Sequence, residues 1–180
     1  MATSPGLRFS VSYTTRGPRA GEVDGRDYFF VSRRVFEGMV ERGEFVEWAN
    51  VYGHLYGTAR KQLQAAHVAG QDLLLDIDVQ GHAQVRAKLP DAVSIFILPP
   101  SFEELSRRLR DRHSDAPEEI ARRLETAREE IGHWAEYDYL VVNDHLKDAT
   151  QSLQAIVRGA RCSRACQQGR VEGIIQTFGG

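Results

Sequence analysis

Three short apolar runs, each closed by a polar residue or proline, punctuate this chain: Asp72–Ile77 (DLLLDI), Ser94–Leu98 (SIFIL) and Tyr139–Val142 (YLVV). Runs that are apolar throughout, rather than alternating, suit strands buried on both faces of a parallel sheet. Helical periodicity fills the intervals. Ser101 and Glu104 have capping-box spacing, and Phe102, Leu105 and Leu109 form a stripe behind them. Pro117 opens a second helix whose apolar face is Ile120, Leu124, Ala127, Ile131 and Trp134. A last helix starts near Lys147, with Leu153, Ile156 and Val157 inside. Strands alternating with helices predict an α/β fold, a parallel sheet flanked by helices.

A different rhythm holds from residue 21 onward. Tyr28–Val31, Phe45–Trp48 and Leu55-Tyr56 are short and aromatic, with glycine turns at 43, 53 and 57 and a helix from Ser32 to about Arg42. This predicts a small antiparallel or mixed insert, residues 21–70. The core is then 1–20 and 71–160, with an arginine-rich helical lid at about 107–125. Residues 161–180 are weakly patterned and read as a loosely docked tail.

Composition adds little beyond a soluble globular class: 180 residues, 42% hydrophobic and 27% charged. A net charge of -2 argues against a general nucleic-acid binder. No run approaches the ~18 apolar residues of a membrane span. The start, MATSPGLRF, has no leader pattern, so a cytoplasmic protein without a membrane or nucleic-acid partner is expected. The two cysteines, Cys162 and Cys166, fall one turn apart if they share a helix, and no further metal ligands lie near them.

Chemistry concentrates in SYTTRGPRAGEVDGRDY, Ser12 to Tyr28. Arg16 and Arg19 offer planar guanidinium forks, the geometry that grips a phosphate monoester. Ser12, Thr14, Thr15 and Tyr28 add hydroxyls. Asp76 and Asp78 end the first apolar run, where open α/β sheets bind ligands. They suit a place near Mg²⁺ or a polar base, and Asp78 equally suits capping the next helix. Glu47 in EFVEW is an acceptor for a purine offering two N–H donors, as guanine does, although alone it reads as a solvated strand charge. Thr58 also fits as a helix N-cap, and Tyr56 as core packing. Arg107, Arg108, Arg110, Arg112, Arg122 and Arg123 surround a polar break, HSDAP. Arginines on a closing lid stabilise the spread charge of phosphoryl transfer. The same residues also fit a surface ladder with Glu103, Glu104, Glu118 and Glu119.

With these residues in view, the chain resembles the guanylate kinase family. SVSYTTRGPRAGEVDGRDYFFV, GEFVEWANVYGHLYGT, LLLDIDVQG, IFILPPS and YDYLVVND follow family order and spacing from about Leu7 to Arg158. The resemblance implies a P-loop nucleoside monophosphate kinase-like fold and transfer of a phosphoryl group from ATP, with Mg²⁺, to GMP. It implies that Arg16, Arg19, Tyr28 and Tyr56 hold the GMP phosphate, and that Ser12, Glu47, Thr58 and Asp78 contact guanine. Arg108, Arg112 and Arg123 fall on the ATP side, as does Asn143 at the adenine end. Arg112, Arg123 and Arg16 are the expected catalytic residues. No direct metal ligand is expected, with Asp76 in an outer shell. His113 stands where the family usually has glycine, and Pro117 is unusual there.

The family pattern also includes a buried first strand and a loop G-x-x-x-x-G-K-[ST], and these 180 residues contain no Gly-Lys pair. The resemblance places that strand between the one ending at Asp78 and the one at Ser94–Leu98. Unpaired backbone groups cost about 1–3 kcal/mol each, so a chain with this gap is expected to be poorly stable unless another segment fills it. Met1 is accordingly expected to be an internal methionine of a longer kinase. Two other readings stand beside the kinase: a non-catalytic module of this family binding GMP or a phosphopeptide, and an unstable remnant.

Overall fold

The computed structural model of the chain describes residues 5–111 and 116–179. Contacts divide it into two compact units, Met1–Ala92 and Val93–Gly180.

In the first unit, β1 (Leu7–Phe9) pairs in parallel with β6 (Asp72–Leu74), Leu7 opposite Asp72. The run read as Asp72–Ile77 thus keeps strand geometry only to Leu74. Its partner β1 is too short to announce itself by periodicity. A second sheet has the order β3 (Phe29–Phe30), β2 (Tyr13–Thr14), β5 (His54–Ala59), β4 (Phe45–Val51). β2 runs parallel to β3 and antiparallel to β5, and β4 is antiparallel to β5, so the sheet is mixed. The β4–β5 connection is a two-residue turn in which Tyr52 (φ 53°) and Gly53 (φ 85°) are both left-handed. That is the type I′ geometry that matches strand twist.

Strand alternation sorts this sheet into two faces. Tyr13, Phe29, Phe45, Leu55 and Ala59 point to one side and pack with Phe36 and Met39. Phe36 and Met39 come from α1 (Arg33–Glu41), capped by Ser32 Oγ accepting the Val35 N–H. Gly57 lies on this face at close quarters. A Cβ there would meet Glu47 O and Trp48 Cβ at 3.0 Å and Phe45 Cδ1 at 2.9 Å.

A β-bulge between Phe45 and Glu47 shifts the register by one residue. Phe45 pairs with Ala59, yet Glu47 pairs with Thr58. Two residues apart on one strand, Phe45 and Glu47 therefore point to opposite faces. α2 (Arg60–Val68) follows β5 with Ala59, not Thr58, at its N-cap. The helix expected to begin at Tyr56-Gly57-Thr58 is strand there, because β2 pairs with Tyr56 and Gly57 and β4 continues the pairing to Ala59. α3 (Val79–Lys88) starts from Asp78, whose Oδ1 accepts the Gly81 N–H at 2.8 Å.

In the second unit, β7 (Ile95–Leu98) pairs in parallel with β8 (Tyr139–Val142). Among the described residues β7 has no other strand partner, and in the first unit β6 pairs only with β1. α4 (Phe102–Asp111) begins after Ser101, whose Oγ accepts the Glu104 N–H at 3.2 Å. The capping box is only half made, because the Glu104 carboxylate turns to Arg107 and Arg108 instead. α5 runs from Pro117 to Glu130 and continues as a 3₁₀ turn, Ile131–Glu136. Its expected apolar face is only partly covered: Ile131 and Trp134 are about half exposed.

α6 (Leu146–Arg161) and α7 (Arg164–Gln176) complete the chain. The tail is helical, with no buried residue in α7. Cys162 caps α6 while Cys166 lies in α7, so the two do not share one helix; both are free and exposed. No described helix is long and apolar enough to cross a membrane.

Candidate functional site

The polar face of the mixed sheet carries most of the residues that the sequence singles out. Arg16 leaves β2 just after Thr14, whose Oγ1 accepts the Arg16 N–H at 3.1 Å. Its guanidinium lies 5.4 Å from the Tyr28 ring centroid and 5.9 Å from that of Phe30. Nε donates to Tyr56 Oη at 3.3 Å, and Nη1 to Gly17 O at 2.7 Å. The Glu22 carboxylate takes the outer fork: Nη1 to Oε2 at 3.0 Å and Nη2 to Oε1 at 2.8 Å.

A bidentate carboxylate is the protein's nearest analogue of a phosphate edge. Arg16 is thus held in the pose that such a ligand requires. The pairing raises the Arg16 pKa and lowers that of Glu22, in each case mainly through their mutual hydrogen bonds. Glu22 Oε2 also accepts the Arg19 N–H at 2.7 Å, fixing the backbone from which the exposed Arg19 side chain extends. Tyr28 packs edge-on to Tyr56 at 6.0 Å between centroids. Burial first, then the charges of Tyr56 and Asp76, push the Tyr28 phenol pKa up. Asp76, exposed, thus stands near the Tyr28–Tyr56 end of the face. Ser12 is half-buried, and its carbonyl accepts the Phe29 N–H at 2.9 Å.

Glu47, Thr58 and Asp78 meet at the other end. Glu47 is 3% exposed and Thr58 fully buried. Burial, reinforced by the Asp78 charge, raises the Glu47 pKa; the Thr58 hydroxyl and N–H and the Lys88 ammonium pull it back. Thr58 Oγ1 is sealed from solvent without a protein partner of good geometry. A buried carboxylate thus lies beside a buried hydroxyl that has no well-formed hydrogen bond, on the face that the half-buried Asp78 also borders. α3 holds its outer wall. Gln84 exchanges hydrogen bonds with Trp48, Nε2 to O at 2.6 Å and the Trp48 N–H to Oε1 at 3.3 Å, and Lys88 Nζ donates to Val46 O at the bulge.

Gln62 supports the same site from α2. Its Oε1 accepts the Val11 N–H at 2.9 Å and its Nε2 donates to Val11 O. The strand leading into Ser12 is therefore pinned by a buried side chain. Glu22, Gln62, Gln84 and Lys88 were not legible as site residues. Only Glu22 carried a signal, an acid six residues after an arginine within the Gly/Asp-rich turn.

The second unit gathers Arg108 and Asn143. Arg108 Nη1 donates to Asn143 O at 2.7 Å and Nη2 to Asp144 O at 2.9 Å, while Nε reaches Glu104 Oε1 at 2.6 Å. Both residues line a cavity of about 220 Å³ with Ile97, Leu98, Pro99, Leu105 and Leu109. Arg107 and Arg108 together hold the Glu104 carboxyl down to about 2. Arg122 pairs with Glu119, and Arg123 approaches the same carboxylate at 3.8 Å. Of the ladder of helix-spaced ion pairs foreseen as the alternative to a lid, the rungs at Glu104 and Glu119 are present. Arg112 and His113 lie outside the described residues.

Residues 3–160 match the family model for guanylate kinase. The chain belongs to the guanylate kinase family. It is 56% identical over 162 residues to the guanylate kinase of Syntrophotalea carbinolica, covering 89% of this chain and 77% of that protein. Against the guanylate kinase of Chromobacterium violaceum it is 49% identical over 179 residues, covering 99% of this chain and 85% of the relative. The crystal structure of guanylate kinase from Anaplasma phagocytophilum superposes with a TM-score of 0.76 at 38% identity, covering 88% of this chain and 77% of that one. The α/β fold expected from the alternation of strands and helices is thus a guanylate kinase fold. α7 lies beyond the span of the family match, although the Chromobacterium relative extends across it.

Proposed function

We propose that this chain is an ATP:GMP phosphotransferase whose acceptor site is the polar face of the mixed sheet. The observation that carries this reading is the pairing of two chemistries on one face. Arg16 is fixed by Glu22, Tyr56 and Gly17 at one end, and buried Glu47 lies with Thr58 and Asp78 at the other. A phosphate monoester attached to a base with two N–H donors matches both.

In this reading Arg16, Arg19, Tyr28 and Tyr56 bind the GMP phosphate. Glu47 accepts from guanine N1–H and the 2-amino group; adenine presents no donor at N1 and is refused. Thr58, Asp78 and Ser12 complete the contacts. The reaction is in-line attack of a GMP phosphate oxygen on the ATP γ-phosphorus, with no covalent intermediate on the protein. Arg16 then serves both to bind GMP and to keep charge off the attacking group. Arg108, Arg112, Arg123 and Asn143 serve ATP.

Mg²⁺ would arrive with ATP and would supply neutralisation of phosphate charge. Among the described residues no group of three or more His, Cys, Asp or Glu is placed to cage a metal ion, and Asp76 is assigned at most an outer-shell contact. A reaction that consumes ATP and GMP supports a cytoplasmic location, where both nucleotides are held.

Titration calorimetry with GMP and with ATP, followed by a coupled assay for ADP, tests this on the 180-residue chain. Saturable GMP binding with GMP-dependent ADP production is expected. GMP binding without ADP would reduce the chain to a nucleotide-binding module, and no GMP binding would overturn the site.

A further inference from the structure

We propose that Gly81 is a positioning residue for guanine recognition: its missing side chain is the room in which the Glu47 carboxylate sits. The inference rests on the reading of Glu47 and Asp78 as guanine acceptors. Gly81 is the third residue of α3, in its first turn, where its N–H is taken by the Asp78 cap and where glycine still loses more backbone entropy than alanine. Its φ is not in the left-handed region, so the backbone itself does not demand glycine. Space does. A Cβ on Gly81 would stand 2.8 Å from Glu47 Oε2, 3.1 Å from Ile77 Cβ and 3.3 Å from Asp78 Oδ1.

Two of these three atoms are carboxylate oxygens, and both carboxylates belong to the candidate guanine pocket. Gly57 provides the contrast. There the blocking atoms include the Glu47 carbonyl oxygen and Trp48 Cβ, which cannot move without the sheet. At Gly81 the tightest contact is the far end of a glutamate side chain. Alanine at 81 can therefore be accommodated chiefly by displacing the Glu47 carboxylate by several tenths of an ångström, with Ile77 and the Asp78 carboxylate yielding by less and the helix kept. Hydrogen bonds to guanine are sensitive to shifts of that size, because donor–acceptor distances are confined to about 2.7–3.2 Å. α3 thus does more than present the Asp78 cap. Its third residue sets how closely two acidic side chains approach one base.

The test is calorimetric binding of GMP and IMP, a 6-oxopurine monophosphate without the 2-amino group, to four proteins: the unchanged chain, Gly81→Ala, Glu47→Gln and the double variant. Gly81→Ala is expected to weaken GMP at least tenfold and IMP less, narrowing the GMP-to-IMP ratio, with an unchanged or slightly raised melting temperature. Adding it to Glu47→Gln is expected to cost nothing further. Gly81→Ala with unchanged GMP affinity would overturn the inference, as would additive losses in the double variant. Equal losses for both nucleotides with a lowered melting temperature would mark Gly81 as merely structural. If the unchanged chain binds no GMP, or Glu47→Gln leaves GMP affinity intact, the acceptor reading itself fails and the inference falls with it. Glu47→Gln weakening GMP while Gly81→Ala does not would sink the inference alone.

Discussion

Arg16 and the exposed arginines of α4 and α5 are held in opposite ways. Arg16 in Met1–Ala92 is only 13% exposed at its side chain and is fixed by a tyrosine hydroxyl, a carbonyl and a two-toothed carboxylate, over two aromatic rings. Arg107, Arg122 and Arg128 in Val93–Gly180 are more than half exposed and pair with acids three or four residues away on their own helices. Core residues divide similarly. The first unit buries Tyr13, Phe36, Met39, Phe45, Val46 and Leu55, whereas the second contributes Leu109, Val141 and Ala149. One unit is organised before any ligand arrives. The other keeps cations whose pairing is cheap to exchange, since exposed pairs are worth about 0–1 kcal/mol.

The largest effect that separates the two is in the core. Phe36→Ala should destabilise the protein by about 3–5 kcal/mol in urea unfolding, because a fully buried ring leaves a cavity. Ile97→Ala, at a half-exposed side chain of β7, should cost about 1 kcal/mol or less. Equal costs would erase the distinction between a packed and a lightly packed unit. Next comes the site. Arg16→Ala should weaken GMP binding roughly ten- to a hundredfold, the loss of charge-assisted hydrogen bonds of about 1.5–3 kcal/mol. It should also leave the Glu22 carboxyl titrating nearer its ordinary value. Unchanged affinity by calorimetry would show that the preorganised arginine is not the phosphate grip.

The pH response of Glu47 sharpens the same point. Its folded pKa lies above the ordinary carboxyl value. Its contribution to stability is therefore fully present below the unfolded value and is lost as pH rises through the folded one. In the proposed reading guanine is bound by the ionised form, so GMP affinity should climb over that same window while stability falls. Glu47→Gln should flatten both curves, and parallel rather than opposed curves would contradict the assignment. The smallest effect is expected outside the site: Arg122→Ala should shift stability by less than about 0.5 kcal/mol. A larger loss would mean that the helix ladder matters more than its exposure suggests.

What the chain disclosed beforehand follows from these differences. The runs at residues 72–74, 95–98 and 139–142 were legible as parallel strands from their apolar character, but the burial expected of them is not found, since Ile97, Tyr139, Leu140 and Val142 are about half exposed. Arg16 and Tyr28 were legible together, Tyr56 joined them only through the family resemblance, and the fold places the three in mutual contact. The β-bulge was not visible. An unbroken alternation would have put Glu47 on the core side with Phe45, and only the pairing with Thr58 reverses it. Gln62 and Gln84 were silent too, because an amide that bonds backbone groups from a distant helix has no signature in its own neighbours. Thr58 misled in type, as a hydroxyl ahead of a helix reads as a cap until strand pairing is known. The apolar face assigned through Trp134 overreached, because α5 gives way to a 3₁₀ turn before that residue.

The Tyr52-Gly53 turn has a consequence for the order in which specificity is acquired during folding. A two-residue hairpin closes a very short loop, and isolated hairpins form in about 1–10 μs. β4 and β5 can therefore zip outward from Val51 and His54 to bring Glu47 opposite Thr58 with no help from distant chain. The phosphate end has a longer wait. Tyr13 finds Gly57, and Arg16 finds Tyr56, only across some forty residues of intervening chain, and such non-local pairings come late and slowly. The residues assigned to choosing the base are assembled by local contacts, and those assigned to gripping the phosphate wait for the sheet to close around them.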